Sequence, residues 1–355
     1  MRPACHVSFD VTEASQVGEV RRAAVRIAEG LGFDEAAAGR VALVVTELGN
    51  NLVRHAKGGR LLVAAVTNDL GAMVVEVLSL DHGPGVANLS ACMTDGYSTG
   101  GTPGTGLGAV RRLSDEFDMF SRVPAGTVIL SRVAAKLALN NGAAPAAVSQ
   151  KHDKHEGQSA RAFSVAGVAI AAPGEIVCGD AWSVVQDGAR AALLVADGLG
   201  HGPYAAEASV AAVNGFEKMP FAGPSPVLEK VHELLRTTRG AAVAMADVDR
   251  DNNVVMFSGA GNIVGRLISG VEDRSLMSQH GTAGVQIGRL QDIRYDWPTH
   301  SILVMHSDGL TTRWKLEDAM EILQSHPAVI CGWLLRDHCR GRDDATVVVL
   351  KRRNS

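Results

Sequence analysis

The stretch that decides the fold is VADGLGHG, residues 195–202, in which an apolar run ends on an acid. Three of the five residues that follow Asp197 are glycine. The stretch HSDGL, residues 306–310, repeats the arrangement, because another apolar run ends close to an Asp-Gly pair at Asp308. We therefore expect two buried strands, each of which brings a carboxylate to a tight turn.

Further acidic motifs border apolar runs in the same half of the chain. Asp180 occurs in CGDAW, and Asp343 and Asp344 occur together in GRDDATVVVL. A single Asp-Gly pair is most often a plain turn, but four such sites in one half weaken that interpretation. Carboxylates gathered at one end of packed sheets repel each other unless a cation neutralises them. Oxygen ligands without a His or Cys pattern favour Mg²⁺ or Mn²⁺.

The composition is that of a soluble protein with two domains. The chain has 355 residues, of which 46% are hydrophobic and 20% charged, which is ordinary for globular domains. A net charge of −4 with 4 Trp, 3 Tyr and 8 Phe argues against a basic groove that binds nucleic acid. Five scattered cysteines without CxxC spacing favour reduced thiols. With no signal sequence and no apolar run of membrane length, we expect a cytoplasmic protein whose oligomeric state stays open.

A polar segment divides the chain into two halves. Residues 136–161, KLALNNGAAPAAVSQKHDKHEGQSAR, show no sustained helix or strand period, so we predict a linker. His152 and His155 are better interpreted as solvated linker residues than as metal ligands, because no further ligand is spaced around them. The predicted domains therefore cover residues 1–135 and 162–355.

Hydrophobic periodicity predicts mixed helix and strand in both halves. Residues 34–59 predict a helix that Asp34 caps and that Gly58 and Gly59 end. Its apolar stripe comprises Val41, Val44, Val45, Leu48 and Leu52. The N-terminal half also predicts strands at 60–67, 72–80 and 126–133. The C-terminal half predicts strands at 163–171, 181–186, 191–196, 241–248, 254–258, 301–306 and 345–350, with helices near 203–218, 225–237 and 316–339.

Polar and glycine-rich motifs of the N-terminal half together suggest a nucleotide site. Glu47 and Asn51 lie four residues apart and share one helix face. DHGPGV follows the strand that ends near Leu80, and GTPGTGLGAVRRL opens a helix at about Leu107. Glycine allows close approach of the backbone to phosphate, and free N–H groups at a helix start attract anions. Each glycine motif alone is weak, because glycine most often serves turns, and the Walker and Rossmann patterns are both absent.

In order and spacing, the N-terminal motifs resemble the GHKL family of ATPases and kinases, in the branch of RsbT-type switch kinases and anti-sigma kinases. The stretches TELGNNLVRHAKGG, DHGPGV, DGYSTGGTPGTGLGAVRRLSDEFD and GTVI carry the resemblance over about residues 6–133. It implies an α/β two-layer sandwich that binds Mg-ATP, in which Asn51 coordinates Mg²⁺, Glu47 accepts the proton of the attacking hydroxyl, and Asp81 bonds the adenine amino group. It further assigns the adenine pocket to Gly83 and Gly85, the phosphates to Gly104, Gly106 and Gly108, and support of Asp81 to Thr127.

The acidic motifs resemble the metal-dependent 2C-type protein phosphatases of the SpoIIE and RsbX branch, over about residues 163–351. The resemblance implies an α+β domain built as a β-sandwich flanked by helices (αββα), with Mg²⁺ or Mn²⁺ in the site. Asp197 would bridge two metals with the Gly198 carbonyl on one of them, and Asp180 would lie near the second. Asp308 and Asp343 would hold the first metal, although the doublet leaves open whether Asp343 or Asp344 is the ligand. Two metals would lower the pKa of a bridging water and clamp the phosphate.

One position departs from many eukaryotic 2C-type phosphatases, which have His directly after the Asp-Gly pair. Leu199 occupies that position here, and His201 lies two residues further on. His201 is either a donor to the leaving oxygen or an ordinary turn or surface histidine.

Together the resemblances imply a bifunctional switch enzyme, which phosphorylates Ser or Thr on a partner and removes phosphate from a phosphoprotein. In the resembled systems the partners are STAS-domain proteins of stress and sigma-factor signalling, which is a family analogy. Two alternatives remain. The N-terminal half is an ATP-dependent, anti-sigma-like binding module, against which Glu47 argues mildly, or it is a nucleotide sensor that regulates the phosphatase without kinase activity.

Overall fold

The computed structural model describes residues 5–87, 106–135 and 162–353. The α-helices are α1 (Ala14–Gly30), α2 (Glu35–Asn51), α3 (Gly106–Leu113), α4 (Pro203–Phe216), α5 (Pro224–Leu235) and α6 (Pro327–His338). The strands of the N-terminal domain are β1 (Val7–Val11), β2 (Gly59–Thr67), β3 (Met73–Leu80), β4 (Glu116–Arg122) and β5 (Gly126–Ala134). Those of the C-terminal domain are β6 (Phe163–Ile170), β7 (Asp180–Asp187), β8 (Arg190–Gly198), β9 (Ala241–Asp249), β10 (Val254–Ala260), β11 (Val264–Ile268), β12 (Asp273–Leu276), β13 (Gly281–Thr282), β14 (Gln286–Ile287), β15 (Ile293–Asp296), β16 (Ile302–His306) and β17 (Ala345–Arg352).

The N-terminal domain is a two-layer α/β sandwich, as predicted. Its antiparallel sheet has the order β1-β2-β3-β5-β4, and α1 and α2 pack with the inward side chains of one face in a single hydrophobic cluster. Asp34 caps α2 by accepting a hydrogen bond from the Ala37 amide at 2.7 Å. Every residue of the predicted apolar stripe is buried: Val41, Val44, Val45, Leu48 and Leu52.

The helix predicted over 34–59 is shorter in the structure. The α-helix ends at Asn51 and continues as a π-helical turn, Leu52–Ala56. Lys57 then takes a left-handed conformation (φ 59°), and the Gly58 amide donates to the Leu52 carbonyl at 3.0 Å. The wider turn and the left-handed residue close the helix end by backbone hydrogen bonds. Among the described residues of this domain, β1, α1 and β4 were not predicted, and in the C-terminal domain the strands β11 to β15 were not predicted.

The C-terminal domain is the predicted αββα sandwich. One sheet, which we call the outer sheet, has the order β15-β10-β9-β8-β7, and the other, the inner sheet, has the order β12-β11-β16-β17-β6. Buried side chains such as Trp182, Val195, Phe257 and Val348 fill the space between the sheets. Helices α4 and α5 cover the outer sheet. The segment predicted as one helix over 316–339 is two helices, a 3-10 helix Glu317–Gln324 and then α6, which Pro327 opens.

Helix α6 belongs to both domains. Its buried residues cluster with Val168 and Val347 of the inner sheet and also with Leu78 and Leu80 of the N-terminal sheet. A Cβ placed on Gly332 would lie 3.0 Å from both Leu80 Cδ2 and Val128 Cγ1, so the helix is packed closely against the second domain. The predicted linker, 136–161, lies outside the described residues. Over the described ranges, no helix is both long and apolar enough to cross a membrane.

A buried polar network accompanies this apolar contact. The Glu76 carboxylate pairs with Arg132 at 2.7 Å and with His6 Nε2 at 2.9 Å. The pKa of Glu76 falls to about 2; burial opposes this, but the Arg132 charge and the His6 hydrogen bond outweigh it. On the other side of the interface, the His326 amide donates to Asp118 Oδ2 at 2.6 Å. The charged groups of Glu76 and Arg132 are thus paired with each other, as their burial requires.

Candidate nucleotide and metal sites

The structure brings Glu47 and Asn51 to the start of helix α3. A Cβ placed on Gly106 would lie 3.4 Å from Glu47 Oε2 and 3.4 Å from Asn51 Oδ1. The predicted base and the predicted Mg²⁺ ligand therefore face the helix start that the sequence assigns to phosphate. Gly108 is buried one turn into α3, whereas Gly104 lies outside the described residues.

Asp81 is fixed by the two segments that flank it. Its Oδ1 accepts hydrogen bonds from the Gly83 amide at 2.8 Å and the Thr127 amide at 3.2 Å. Burial raises the pKa of the Asp81 carboxyl, although these two amides act in the opposite direction. Thr127 thus contacts Asp81 through its backbone, while its hydroxyl bonds the Ser121 hydroxyl at 2.8 Å. The carboxylate is held at the end of β3, where it is half-buried.

The turn after Asp81 requires glycine. Gly85 has a φ of 75°, and a Cβ there would collide with the Arg122 carbonyl oxygen. Gly83 packs as closely, since its Cβ would come within 2.9 Å of Ala56 Cα. The loop predicted to form the adenine pocket therefore lies against both the end of the α2 helix and the β4–β5 turn.

The predicted metal-site carboxylates converge at the ends of strands from both sheets of the C-terminal domain. Asp180 and Asp197 are paired directly across β7 and β8. The Ser307 hydroxyl donates to Asp180 Oδ2 at 2.6 Å, and Ser307 directly precedes Asp308. Asp308 in turn accepts a hydrogen bond from Asn262 Nδ2 at 2.7 Å.

The electrostatics of this group are those of crowded carboxylates. Burial raises the pKa of Asp197 to about 9, and the charges of Asp180, Asp308 and Asp343 act in the same direction. Burial also raises the pKa of Asp180 to about 7, against the hydrogen bond from Ser307. The neighbouring carboxylates thus destabilise the charged form of Asp197, which is the condition that a bound cation relieves.

Asp343 and Asp344 occupy different environments. Asp343 is exposed and adds to the negative field at Asp197. Asp344 is 3% exposed, and its Oδ1 accepts a hydrogen bond from the Ala172 amide at 2.9 Å. Its Oδ2 is directed toward Gly179, where a Cβ would lie within 2.5 Å. This arrangement favours Asp343 as the ligand and Asp344 as a group that holds the β6–β7 connection.

The glycines of the two Asp-Gly pairs allow backbones to meet closely behind the carboxylates. A Cβ on Gly198 would collide with the Ala205 carbonyl of α4, and a Cβ on Gly309 would collide with the Asp344 carbonyl. Ordinary residues would push α4 and the 343–345 segment away from the ends of β8 and β16. The repeated Asp-Gly pair therefore brings each acid to a strand end while its glycine lets the next element close against it.

The residues present suit divalent metals in chemistry. The donor set is carboxylate oxygen, which Mg²⁺ and Mn²⁺ prefer, and Asp180 Oδ1 is buried without a hydrogen-bond partner. Within the described ranges, however, no three His, Cys, Asp or Glu side chains stand close enough to bind one ion together.

Leu199 and His201 lie on the loop that follows Asp197. Leu199 is exposed, and its amide donates to the Gly240 carbonyl at 3.0 Å. His201 Nδ1 lies 2.6 Å from Glu175 Oε1, with the imidazole largely exposed. The structure thus places His201 in a surface hydrogen bond with Glu175, beside the carboxylate group.

Sequence interpretation missed the residues that hold these acids in place. Ser307 is adjacent to Asp308 in HSDGL, so its position in that motif was an available signal. Asn262, which bonds Asp308, and Ser121, which bonds Thr127, lie in stretches without any such signal. Their roles depend on contacts between segments that are distant in sequence.

Comparison with known proteins agrees with both sequence resemblances. The histidine kinase-like ATPase domain family matches residues 11–132, and the stage II sporulation protein E (SpoIIE) family matches residues 187–353. The serine/threonine-protein kinase RsbT of Bacillus subtilis (strain 168) is 33% identical over 121 residues, which cover 34% of this chain and 86% of RsbT.

Two further similarities are to a phosphatase and to a solved structure. The phosphoserine phosphatase RsbX of Bacillus subtilis (strain 168) is 24% identical over 140 residues, which cover 39% of this chain and 69% of RsbX. A solved structure from the bacterial stressosome is 27% identical with a TM-score of 0.50, and the match covers 53% of this chain and 99% of that one. The C-terminal half is similar to the SpoIIE family over residues 187–353. Through its N-terminal domain the chain belongs to the RsbT family of histidine kinase-like ATPase domains.

Proposed function

We propose that the protein is a bifunctional signalling switch, in which a Ser/Thr kinase domain over residues 1–135 is joined to a metal-dependent phosphoprotein phosphatase domain over residues 162–355. The observation that carries the proposal is the presence of two separate polar groups in one chain. Glu47 and Asn51 face the start of α3, and Asp180 and Asp197 meet at the edge of the outer sheet.

The N-terminal site supports phosphoryl transfer from ATP. Asn51 would hold the Mg²⁺ of Mg-ATP, Asp81 would bond the adenine, and the α3 amides would bind phosphate. Glu47 lies on the same side of Gly106 as Asn51, where it would accept the proton of an attacking Ser or Thr hydroxyl. The name of the relative RsbT, a serine/threonine-protein kinase, supports this direction of transfer.

The C-terminal site supports hydrolysis of a phosphoester. A pair of Mg²⁺ or Mn²⁺ ions would supply a water of lowered pKa and neutralise the phosphate. Asp197, Asp180, Asp308 and Asp343 would hold the ions, together with the Gly198 carbonyl. Ser307 and Asn262 keep two of these carboxylates oriented. The relative RsbX, a phosphoserine phosphatase, supports a phosphoprotein substrate.

We further propose STAS-domain proteins of stress and sigma-factor signalling as the partners. The similarity to RsbT, to RsbX and to a bacterial stressosome structure supports this class. Both activities would then act in opposite directions on one partner family. Since two active sites would consume ATP without net change, we expect one of them to be restrained at any time.

The test uses one purified STAS-domain substrate, ATP radiolabelled at the γ-phosphate, and Mn²⁺. We expect Glu47→Ala to leave the substrate unlabelled, Asp197→Asn to label it highly, and the wild type to lie between them. Equal labelling by Asp197→Asn and the wild type, at the same rate with every partner, would overturn the opposed pair. ATP-dependent binding of the partner without any label would instead support a binding module.

A further inference from the structure

We propose that the rim of the carboxylate site recognises a phosphoserine or phosphothreonine that has apolar neighbours, and that Arg239 contacts its phosphate. The rim consists of Arg239, Tyr204, Leu199 and Ile176. This inference rests on the proposed phosphatase function and names the substrate feature that the site selects. No other residue assigned to the site so far is cationic, whereas a phosphorylated side chain brings up to two negative charges.

The backbone holds Arg239 beside the strand that carries Asp197. Gly198 pairs with Ala241 across β8 and β9, and the Gly240 carbonyl accepts the Leu199 amide at 3.0 Å. On its other side, the Gly240 amide donates to the Thr238 hydroxyl at 3.1 Å. Arg239 is therefore fixed on both sides, directly next to the loop that leaves the metal site.

The guanidinium is directed over this loop. It lies 4.9 Å from the centroid of the Tyr204 ring, in a cation–π contact. Its Nη1 would be 3.3 Å from a Cβ on Gly200, so the absence of a side chain at Gly200 leaves room for it. Among the residues that the structure describes, no carboxylate forms an ion pair with Arg239, which leaves its fork of N–H donors available for a phosphate oxygen.

Apolar side chains border the same mouth. Leu199 and Tyr204 are 45% and 63% exposed, and Ile176 is 95% exposed. The His201–Glu175 pair at 2.6 Å ties the loop after Asp197 to the segment that contains Ile176 and leads to Asp180. Exposed apolar groups around an anionic centre suit a protein segment with apolar flanks better than a small, fully charged phosphate ester.

The test compares Arg239→Ala, Arg239→Lys and Tyr204→Ala with the matched control Arg236→Ala, an exposed arginine three residues earlier. Each is assayed with Mn²⁺ on p-nitrophenyl phosphate and on two phosphoserine peptides, one with apolar and one with acidic flanks. We expect Arg239→Ala to raise KM about tenfold on all substrates, with partial recovery in Arg239→Lys. Tyr204→Ala should raise KM only for the apolar peptide.

The possible outcomes separate failure of the proposed phosphatase activity from failure of the proposed substrate recognition. A wild type without activity on any of these substrates would contradict the proposed phosphatase. An active wild type whose KM values do not change in Arg239→Ala would overturn the role of Arg239. Equal KM values for the two peptides in the wild type would overturn the apolar selection.

A second inference comes from a different part of the molecule. We infer that helix α6 couples the nucleotide pocket to the metal site, so that binding of ATP and binding of Mn²⁺ change each other's affinity. One end of α6 contacts the loop of Asp81, and the residues that follow it bond the loop of Asp308. This goes beyond the two separate activities and rests on the proposed ligands of each site.

At the nucleotide pocket, Arg336 of α6 donates from Nη1 to the Asp81 carbonyl oxygen at 2.8 Å. Its guanidinium also lies over the Trp333 ring at 3.6 Å and pairs with Asp337 at 2.7 Å. Asp337 in turn lies 3.7 Å from His82 Nδ1. The side chain of Arg336 is buried among these groups, so the backbone that presents Asp81 is held by the phosphatase domain.

At the metal site, the chain leaving α6 forms two backbone hydrogen bonds with the loop after β16, which together make one antiparallel bridge. The Arg340 amide donates to the Gly309 carbonyl at 2.8 Å, and the Thr311 amide donates to the His338 carbonyl at 2.9 Å. Leu310 and Cys339 form an isolated antiparallel bridge. Asp308 directly precedes these residues, so a shift along α6 moves a proposed metal ligand.

Coupling between two sites is reciprocal, because each ligand changes the affinity for the other by the same factor. We therefore expect a non-hydrolysable ATP analogue with Mg²⁺ to change the apparent affinity for Mn²⁺ at the C-terminal site by at least about fivefold. The Mn²⁺ titration is followed by calorimetry in Asn51→Ala as well as the wild type, since that variant removes the proposed nucleotide-site ligand.

Arg336→Ala should abolish the coupling while each ligand still binds alone, and Lys230→Ala, an exposed lysine of α5, should leave it intact. If the analogue does not bind, the proposed nucleotide site is wrong. If it binds and the wild-type affinity for Mn²⁺ does not change, the coupling is wrong, whatever the variant shows. If Arg336→Ala binds neither ligand, the variant is misfolded and Arg336→Lys is tested in its place. Arg336→Lys keeps a donor for the Asp81 carbonyl and should bind both ligands.

Discussion

Asp180 and Asp197 face each other directly across β7 and β8, although 16 residues separate them along the chain. Cross-strand partners have Cβ atoms about 4.5–5.5 Å apart, and like charges in that position destabilise a sheet. The pair lies at the strand ends nearest Asp308 and Asp343, so neither carboxylate can escape the field of the others. A fold that keeps this arrangement needs a cation or an exchangeable proton at the site.

The first prediction concerns stability with and without metal. In EDTA at neutral pH, Asp197→Asn should raise Tm by a few degrees, because Asp197, with a pKa of about 9, must take up a proton when the chain folds and asparagine need not. About 1 kcal/mol corresponds to about 2–4 °C in a domain of this size. Mn²⁺ should raise Tm of the wild type but not of the variant. Differential scanning calorimetry measures both effects. Asp187→Asn, at the exposed far end of β7, is the control, and a Tm in EDTA that falls in Asp197→Asn would contradict the repulsion.

The second prediction separates the acidic doublet. Asp343→Ala should abolish the Mn²⁺-induced rise in Tm, because Asp343 is a proposed metal ligand whose charge reaches Asp197. It should change Tm little in EDTA, because the Asp343 side chain is exposed. Asp344→Ala should lower stability in EDTA by about 1–3 kcal/mol, because the buried Ala172 amide loses its acceptor. Urea unfolding in EDTA and in Mn²⁺ measures both variants, and the reverse pattern would make Asp344 the ligand.

The third prediction concerns nucleotide binding. Asn51→Ala and Asp81→Asn should each weaken Mg-ATP binding at least about tenfold, because one removes the proposed metal ligand and the other alters the adenine contact. Glu35→Ala, in the first turn of the same helix, should bind normally. Calorimetry gives the affinities, and unchanged binding in both variants would show that the nucleotide lies elsewhere.

The fourth prediction concerns acid stability at the domain interface. Burial, together with the Arg132 charge, lowers the pKa of His326 to about 4 from 6.5, while Glu76, Asp69 and Lys351 also face it. Its Nδ1 accepts the Ala328 amide at 3.1 Å, which caps α6. Neutral His326 therefore contributes its full share of the free energy of unfolding above about pH 6.5. This share is lost as pH falls toward 4, and the total loss is up to roughly 3 kcal/mol.

His326→Asn keeps a capping side chain but does not titrate. Urea unfolding from pH 7 to pH 4 should therefore show a shallower loss of stability in the variant than in the wild type. The difference between the two pH profiles reports on His326 alone. Glu76 has a pKa of about 2, so the stability that its charge contributes is lost only below pH 4.5, the ordinary pKa of a glutamate. Parallel pH profiles of the two proteins would contradict this role.

The fifth prediction concerns the layer that the domains share. Trp333 is buried, with its ring 4.9 Å from Phe120 in an edge-to-face contact. Trp333→Ala should cost about 3–5 kcal/mol and should split one calorimetric unfolding transition into two, since it removes a contact between domains. Leu70→Ala, at a largely exposed position, is the control. A single transition with unchanged Tm would show that α6 does not join the domains energetically.

The sequence alone predicted the resemblance to both families, the α/β and αββα layers, and the motifs that carry the acids. These follow from local patterns, because strand and helix periods, Asp-Gly turns and helix caps act over a few residues. The burial of the α2 stripe and the cap at Asp34 were predictable for the same reason. The roles of Glu47, Asn51 and the site carboxylates stay predictions, which the experiments above address.

Only the tertiary structure decided how distant segments meet. The register that opposes Asp180 to Asp197, the hydrogen bond of Ser307 to Asp180, and the different settings of Asp343 and Asp344 depend on packing between sheets. The sequence predicted a helix near 316–339, and the structure shows that α6 is buried on all sides, but no local pattern specifies what lies on each side. The N-terminal sheet and the inner sheet both bury apolar faces against it, and the hydrophobic effect that drives this burial is non-directional.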